Sequence, residues 1–246
     1  MYAILKKKYS QNFLIDKNIQ KKICRLISNS NLNILEIGPG DGRLTDHILQ
    51  FEPRELTLIE IDKDLIDLLN TKFSKNKNVK IINEDILNYQ LIENFDLIIS
   101  NLPYNISSQV LVKLCLMQNL PINLILMFQK EFAERLISEK LNSLNSLVGC
   151  FYDINNCISV SKNCFRPVPK IDSSVLLFKR RNEILLKRNE IDNFIKFKRN
   201  LFSHKRKTLK NILKKFGLDQ NKFDLSMRVE EISLQELLRI FRETNL

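Results

Sequence analysis

Asn101-Leu102-Pro103-Tyr104 sets an amide, two main-chain carbonyls and an aromatic face within four residues. Proline stiffens the turn, so the carbonyls beside it leave in set directions. That combination suits a flat nucleobase: the ring offers a stacking face, and the oxygens accept from an exocyclic amine. The same residues also read as an ordinary strand-to-helix turn, with Tyr104 capping the core. The surrounding chain has to decide between the two.

A second chemical stretch is Gly38-Pro39-Gly40-Asp41-Gly42, which holds three of the five glycines in the chain. Glycine permits positive φ and close approach of backbone to a ligand, so this concentration marks Gly38 and Gly40 as parts of a ligand loop at a helix start. Its spacing, with Glu36 ahead of it, departs from the Gly-x-Gly-x-x-Gly of dinucleotide folds. Glu60 falls near the end of the next apolar run, where a carboxylate accepts both hydroxyls of a ribose. Asp85 follows the run after that, as an acceptor for an adenine amino group or as a plain polar loop residue.

These residues need a sheet to carry them. Apolar runs at 32–37, 55–61, 79–83, 95–100, 123–128, 154–161 and 173–179 predict seven strands. Helical spacing predicts helices over about 17–28, 106–117, 131–139 and 144–152, with Asp62 and Asp64 opening another. The alternation argues for a parallel-rich sheet covered on both faces, so the chain is of the α/β class. Asn101 then stands where a buried strand leaves the sheet. Past Lys179 only helical patterns remain, over about 192–201, 205–216 and 234–242. The expected division is a domain over 1–183, led by a basic segment and helix over 1–30, and a small all-α domain over 184–246. The loop 164–170, with Pro167 and Pro169, is expected to stay out of a sheet interior.

Five cysteines without a Cys-x-x-Cys pair, and two histidines, support neither a disulfide framework nor a metal site, and the thiols read as buried. No apolar run nears the length of a membrane span and residues 1–8 lack a signal-peptide core, so a soluble cytoplasmic protein is expected. The net charge of +11 is uneven: residues 179–215 hold 14 Lys/Arg against 3 acids and residues 1–30 hold 7 against 1, while the centre is mildly acidic. An AT-biased genome would spread its lysines evenly. Two basic arms about an acidic body fit a phosphate-gripping surface, or a solvated basic helix face.

Gln11-Asn12-Phe13-Leu14, the stretch from Glu36 to Thr45, Glu60, Asp85, the Asn101 turn and Phe165-Arg166-Pro167-Val168-Pro169-Lys170-Ile171-Asp172-Ser173 together resemble the ribosomal RNA adenine N6-dimethyltransferases. The tail Leu201-Phe202-Ser203-His204-Lys205-Arg206-Lys207-Thr208-Leu209 is similar to that of their small-subunit branch. Ser10 and Val168 depart from the family pattern, which commonly has Gly and Pro there. The resemblance implies a seven-stranded class I methyltransferase fold and S-adenosylmethionine as donor. It implies a donor site at Asn12, Leu14, Gly38, Gly40, Glu60, Asp85 and Asn101, with Gly38 under the methionine part. It implies catalysis at Asn101 and at the carbonyl of Leu102 or Pro103, with Tyr104 stacking on the base. Phe165 is expected on the base's other face, or otherwise in the core. Lys205, Arg206 and Lys207 are expected to bind RNA.

The function so implied is dimethylation of two adjacent adenosines near the 3′ end of small-subunit (16S) rRNA, by a monomer acting on the immature subunit, away from membranes. Two alternatives stand beside it: a large-subunit or DNA adenine methyltransferase, and a non-catalytic RNA-binding assembly factor that keeps the fold.

Overall fold

The computed structural model describes residues 12–204, 206–214 and 222–244. The expectations placed on Gln11, on the basic residues before it, on Lys205 and on part of the 205–216 helix lie outside those residues. The chain divides into two compact units, one made of Met1–Glu134 with Ile154–Arg180 and the other of Arg135–Asp153 with Arg181–Leu246. This division is not the single cut near residue 183 that the sequence suggests. The segment 135–153 belongs with the helical unit because its polar groups are satisfied there. Cys150 and Phe151 carbonyls accept from the Leu185 and Arg181 N–H groups, and Leu141 N–H reaches the Glu230 carbonyl.

The first unit is built on a seven-stranded sheet. Its strands are β2 (Asn33–Ile37), β3 (Glu55–Glu60), β4 (Val79–Asn83), β5 (Leu97–Asn101), β6 (Asn123–Gln129), β7 (Tyr152–Val160) and β9 (Ser173–Arg180), in the order β4-β3-β2-β5-β6-β9-β7. The pairs β4·β3, β3·β2, β2·β5 and β5·β6 are parallel, and β6·β9 is antiparallel. Central β5 and β6 are buried almost throughout, as strands covered on both faces must be, whereas edge strand β4 is only partly covered. Helices α2 (Arg43–Ile48), α3 (Lys63–Phe73), α4 (Ser107–Cys115) and α5 (Lys130–Ile137) follow β2, β3, β5 and β6. Asp62 caps α3 by accepting from the Asp64 N–H.

The chain runs outward from β2 through β3 to β4, then returns to place β5 on the other side of β2. This reversal leaves a crevice beyond the C-terminal ends of β2 and β5, the position where open α/β sheets take ligands. Both chemical stretches of the sequence leave the sheet there.

Two short strands were not expected. Strand β1 (Phe13–Leu14) pairs antiparallel with β8 (Phe165–Arg166), just ahead of helix α1 (Lys17–Cys24), and this ribbon stands apart from the main sheet. The proline loop thus stays out of the sheet interior by pairing with the N-terminal segment instead. Helix α6 spans only Asn145–Val148, since Tyr152 already begins β7.

The helical unit has its own core. In α7 (Ile191–Ser203) and α9 (Leu234–Glu243), Phe194 and Phe197 lie with ring centroids 5.2 and 5.4 Å from that of Phe241. Helix α8 (Leu209–Leu213) adds Leu209, Ile212 and Leu213 to the buried set. Among the described residues no helix is long and apolar enough to cross a membrane. Cys24, Cys115 and Cys150 are buried, and burial pushes Cys24 and Cys150 up to about 12. Cys157 is exposed and Cys164 partly so, which corrects the reading of all five as buried thiols.

Candidate active site

The crevice is a cavity of about 250 Å³. Its walls come from β1, the loops after β2, β3 and β4, and the turn after β5. The structure brings Asn12, Leu14, Gly38, Gly40, Glu60, Asp85, Asn101, Leu102, Pro103 and Tyr104 together around this one space.

The glycine loop supplies the floor. Gly38 has φ of +67°, and no heavy atom lies within 4 Å of where a Cβ would stand, so its bare backbone faces room that a ligand can enter. Gly40, at φ +62°, meets the opposite condition: a Cβ there would come within 2.7 Å of the Phe13 ring. Strand β1 therefore rests on the glycine loop. Lys72 ties the loop from behind, donating to the Asp41 and Gly42 carbonyls at 3.1 and 2.8 Å and pairing with Asp46 at 2.7 Å.

Two carboxyl groups lie under this floor. Glu60 is 6% exposed and accepts from the Gly40 and Asp62 N–H groups at 3.2 and 3.0 Å. Burial pushes its carboxyl up, and those N–H groups pull it back. Glu36 is more deeply enclosed. It accepts a 2.6 Å bond from the Thr45 hydroxyl, and burial pushes it up to about 8, so it is largely protonated at neutral pH. Asp85 uses one oxygen to cap its own turn at the Leu87 N–H and lies at the cavity edge beside Ile86.

The Asn101 turn forms the opposite wall, and its spacing from the floor is fixed. The buried Ser100 hydroxyl donates to the Ile37 carbonyl at 2.6 Å, tying the last residue before Asn101 to the last residue before Gly38. Asn101 Nδ2 donates to the Asn12 carbonyl at 3.0 Å. A carbonyl only accepts, so this bond fixes which way the amide faces: the nitrogen points to β1, and Oδ1 is left as an acceptor on the other side. The Pro103 carbonyl already accepts from the Ile106 N–H and the Ser107 hydroxyl. Tyr104 lines the cavity with its hydroxyl 2.9 Å from Ser173 Oγ, and burial holds the phenol above its ordinary range.

Phe165 is not brought to the cavity. It is fully buried in the core among Leu14, Ile23 and Cys24, because as partner of Leu14 in the β1·β8 ribbon its side chain turns inward. The expectation of a second stacking face there is corrected: its core alternative is what the structure has. In the helical unit, Arg206 and Lys207 are both exposed.

The open backbone at Gly38, the buried carboxyl of Glu60 and the adjoining amide fit a nucleoside carrying an amino-acid arm. The family profile described as "Ribosomal RNA adenine dimethylase" matches residues 3–246. The chain belongs to the ribosomal RNA adenine dimethylases. It is accordingly an rRNA adenine methyltransferase, and the family and fold imply S-adenosylmethionine as methyl donor.

Among relatives of this dimethylase, "Ribosomal RNA small subunit methyltransferase A" of Pelagibacter ubique is 40% identical, covering 90% of this chain and 91% of that one. The protein of the same name from Mycoplasmopsis pulmonis is 36% identical, covering 97% and 98%. Of solved structures, a dimethyladenosine transferase from Plasmodium falciparum superposes with a TM-score of 0.84 at 24% identity, over 95% of this chain and 98% of that one. The 23S rRNA methyltransferase ErmE does so with 0.71 at 24%, over 95% and 100%. Both likenesses concern the fold.

In this dimethylase, sequence reasoning left several residues of the site without a role. Phe13 enters it only as part of a motif, although its place beside Asn12 and ahead of a glycine loop was a usable signal. Ile61 is 40% exposed at the strand end and lines the cavity, a placement that an apolar residue directly after Glu60 hints at. Lys72 and Ser173 act through tertiary contacts that no spacing reveals.

Proposed function

We propose that the chain dimethylates N6 of two adjacent adenosines in a hairpin near the 3′ end of 16S rRNA, acting as a cytoplasmic monomer on the immature small subunit. The observation that carries this reading is the oriented amide of Asn101. Adenine N6 is a poor nucleophile because its lone pair is delocalised into the ring, and it presents two hydrogens. Asn101 Oδ1 and the Leu102 carbonyl are two acceptors on one turn, suited to hold those hydrogens and to stabilise positive charge growing on nitrogen. Neither is a strong base, which fits a reaction in which the proton leaves after attack. The Tyr104 ring offers the stacking face that an extruded base needs.

On the donor side, Glu60 would take the ribose hydroxyls, Asp85 the adenine amino group, and the Gly38 backbone the methionine part, with Asn12, Leu14 and Gly40 completing the wall. When bound, S-adenosylmethionine supplies a methyl group on a positively charged sulfur, an electrophile that needs no further activation. The chain's own work is alignment. The exposed Arg206 and Lys207 support a phosphate-binding role for the helical unit. The names of the small-subunit relatives favour the 16S target over the large subunit.

The test is methyl transfer to immature small subunits, large subunits and protein-free 16S rRNA, with products mapped by mass. N6-dimethyladenosine at two adjacent positions of the small subunit is expected, and Asn101→Ala should lower kcat by at least about a hundredfold. Product confined to the large subunit, or none with wild-type protein, overturns the proposal.

A further inference from the structure

The hydroxyl of Ser173 is buried, with 1% of the residue exposed, yet it reaches a residue of the cavity wall. Ser173 opens β9, and its position is set by pairing with Gln129 in β6 and by the bond from the Lys130 N–H to the Asp172 carbonyl at 3.0 Å. Tyr104, by contrast, sits in a turn, where nothing in the backbone fixes its ring. The first side-chain torsion of a tyrosine has several staggered wells, and each sends the long axis of the ring in a different direction. The 2.9 Å bond between its hydroxyl and Ser173 Oγ holds the far end of that axis.

We infer that Ser173 is a positioning residue for the target base, fixing the direction in which Tyr104 presents the ring on which the adenine stacks. This rests on the proposed reading of the cavity. The arrangement then has two separate anchors: the Asn12 carbonyl sets the amide that meets the edge of the base, and Ser173 sets the ring that meets its face. Stacking is weakly directional compared with hydrogen bonding. A ring swung to another direction would still bind RNA but would offer the base edge to Asn101 at the wrong angle. Placing the restraint on β9 ties the ring to the sheet rather than to the turn that carries it.

The experiment uses full-length enzyme and small-subunit rRNA carrying 2-aminopurine at the target adenosine. Quenching of the probe reports stacking, and steady-state kinetics on the unsubstituted rRNA and calorimetry with S-adenosylmethionine run alongside. Ser173→Ala is expected to weaken the quench and raise KM for RNA roughly two- to tenfold. Donor affinity and Tm should be little changed. Tyr104→Phe removes the other end of the bond, so the double variant should be no worse than either single one, and Ser173→Thr should restore the quench.

The inference is overturned by an unchanged quench in Ser173→Ala, or by losses that multiply in the double variant. It is also overturned if the activity loss merely follows a fall in Tm. Tyr104→Ala separates the two levels of claim. If it leaves both dimethylation and quench intact, the stacking reading of the cavity itself fails. If it impairs them while Ser173→Ala does not, only the role of Ser173 falls.

Discussion

The cavity and the basic run of the helical unit use charge in opposite ways. In the cavity, carboxyl groups are buried and answered by backbone N–H groups and a hydroxyl, and Glu36 is pushed so far up that it holds its proton. In the run 179–215 the charges divide by burial. Lys198 is 6% exposed and donates to the Ser143 carbonyl and hydroxyl, and Arg181 pairs with Asp153 and reaches the Gly149 carbonyl. Lys196, Arg199, Arg206, Lys207 and Lys210 are exposed. Counting charges along the sequence overstates the surface available to phosphate, because some of these cations hold the helical unit together. On the proposed reading, the cavity discriminates by shape and fixed dipoles, and the basic surface grips phosphate by number.

The comparison is broken most sharply at Gly38. A valine there has to adopt φ near +67° and pushes two methyl groups into the cavity. The backbone strain alone costs about 1–2 kcal/mol, and the donor loses its floor. Donor affinity measured by calorimetry should fall at least about a hundredfold, since atoms occupying the binding space cost more than the removal of one hydrogen bond. The helical unit should respond normally, with RNA affinity within about twofold of wild type, a change well under 1 kcal/mol.

The basic surface predicts a smaller effect with a different signature. Arg206→Ala and Lys207→Ala should each weaken RNA binding regardless of sequence and reduce the slope of log affinity against log salt by roughly 1 for each phosphate no longer neutralised. Lys198→Met should leave that slope alone and instead destabilise the helical unit by about 1–3 kcal/mol, because the Ser143 groups lose their charged partner. Equal salt slopes for the Lys198 and Arg206 variants would erase the distinction drawn between buried and exposed cations.

What the sequence showed follows the same division. Strand-forming runs such as 95–100 and 123–128 were readable because burial on both faces demands continuous apolar residues, and loop chemistry was readable because glycine and proline have few other uses. The ribbon of β1 and β8 was not. Two residues carry no periodicity, and their pairing joins positions about 150 apart in the chain. Phe165 was misplaced for the same reason: its burial depends on Leu14, which only the ribbon brings beside it. The orientation of Asn101 was equally out of reach, since it depends on a main-chain carbonyl, and every residue type offers one.

The smallest expected effect on activity concerns Glu36, whose replacement leaves catalysis nearly untouched at neutral pH. Its carboxyl ionises near 4.5 in the unfolded chain and is raised to about 8 in the fold, with burial the leading cause. Between these values the folded state holds a proton that the unfolded state has lost, so unfolding releases it and stability falls as pH rises. The contribution is complete below pH 4.5 and gone above about 8. Glu36→Gln keeps an acceptor for the Thr45 hydroxyl and has no proton to release. Thermal unfolding from pH 4 to 9 should therefore show the wild type losing on the order of ten degrees of Tm relative to the variant as pH rises through this window. Parallel Tm profiles would mean that Glu36 is already ionised in the fold, with Lys72 behind the glycine loop neutralising it more fully than burial opposes it. The contrast between a protonated cavity floor and an ionised basic surface would then not hold.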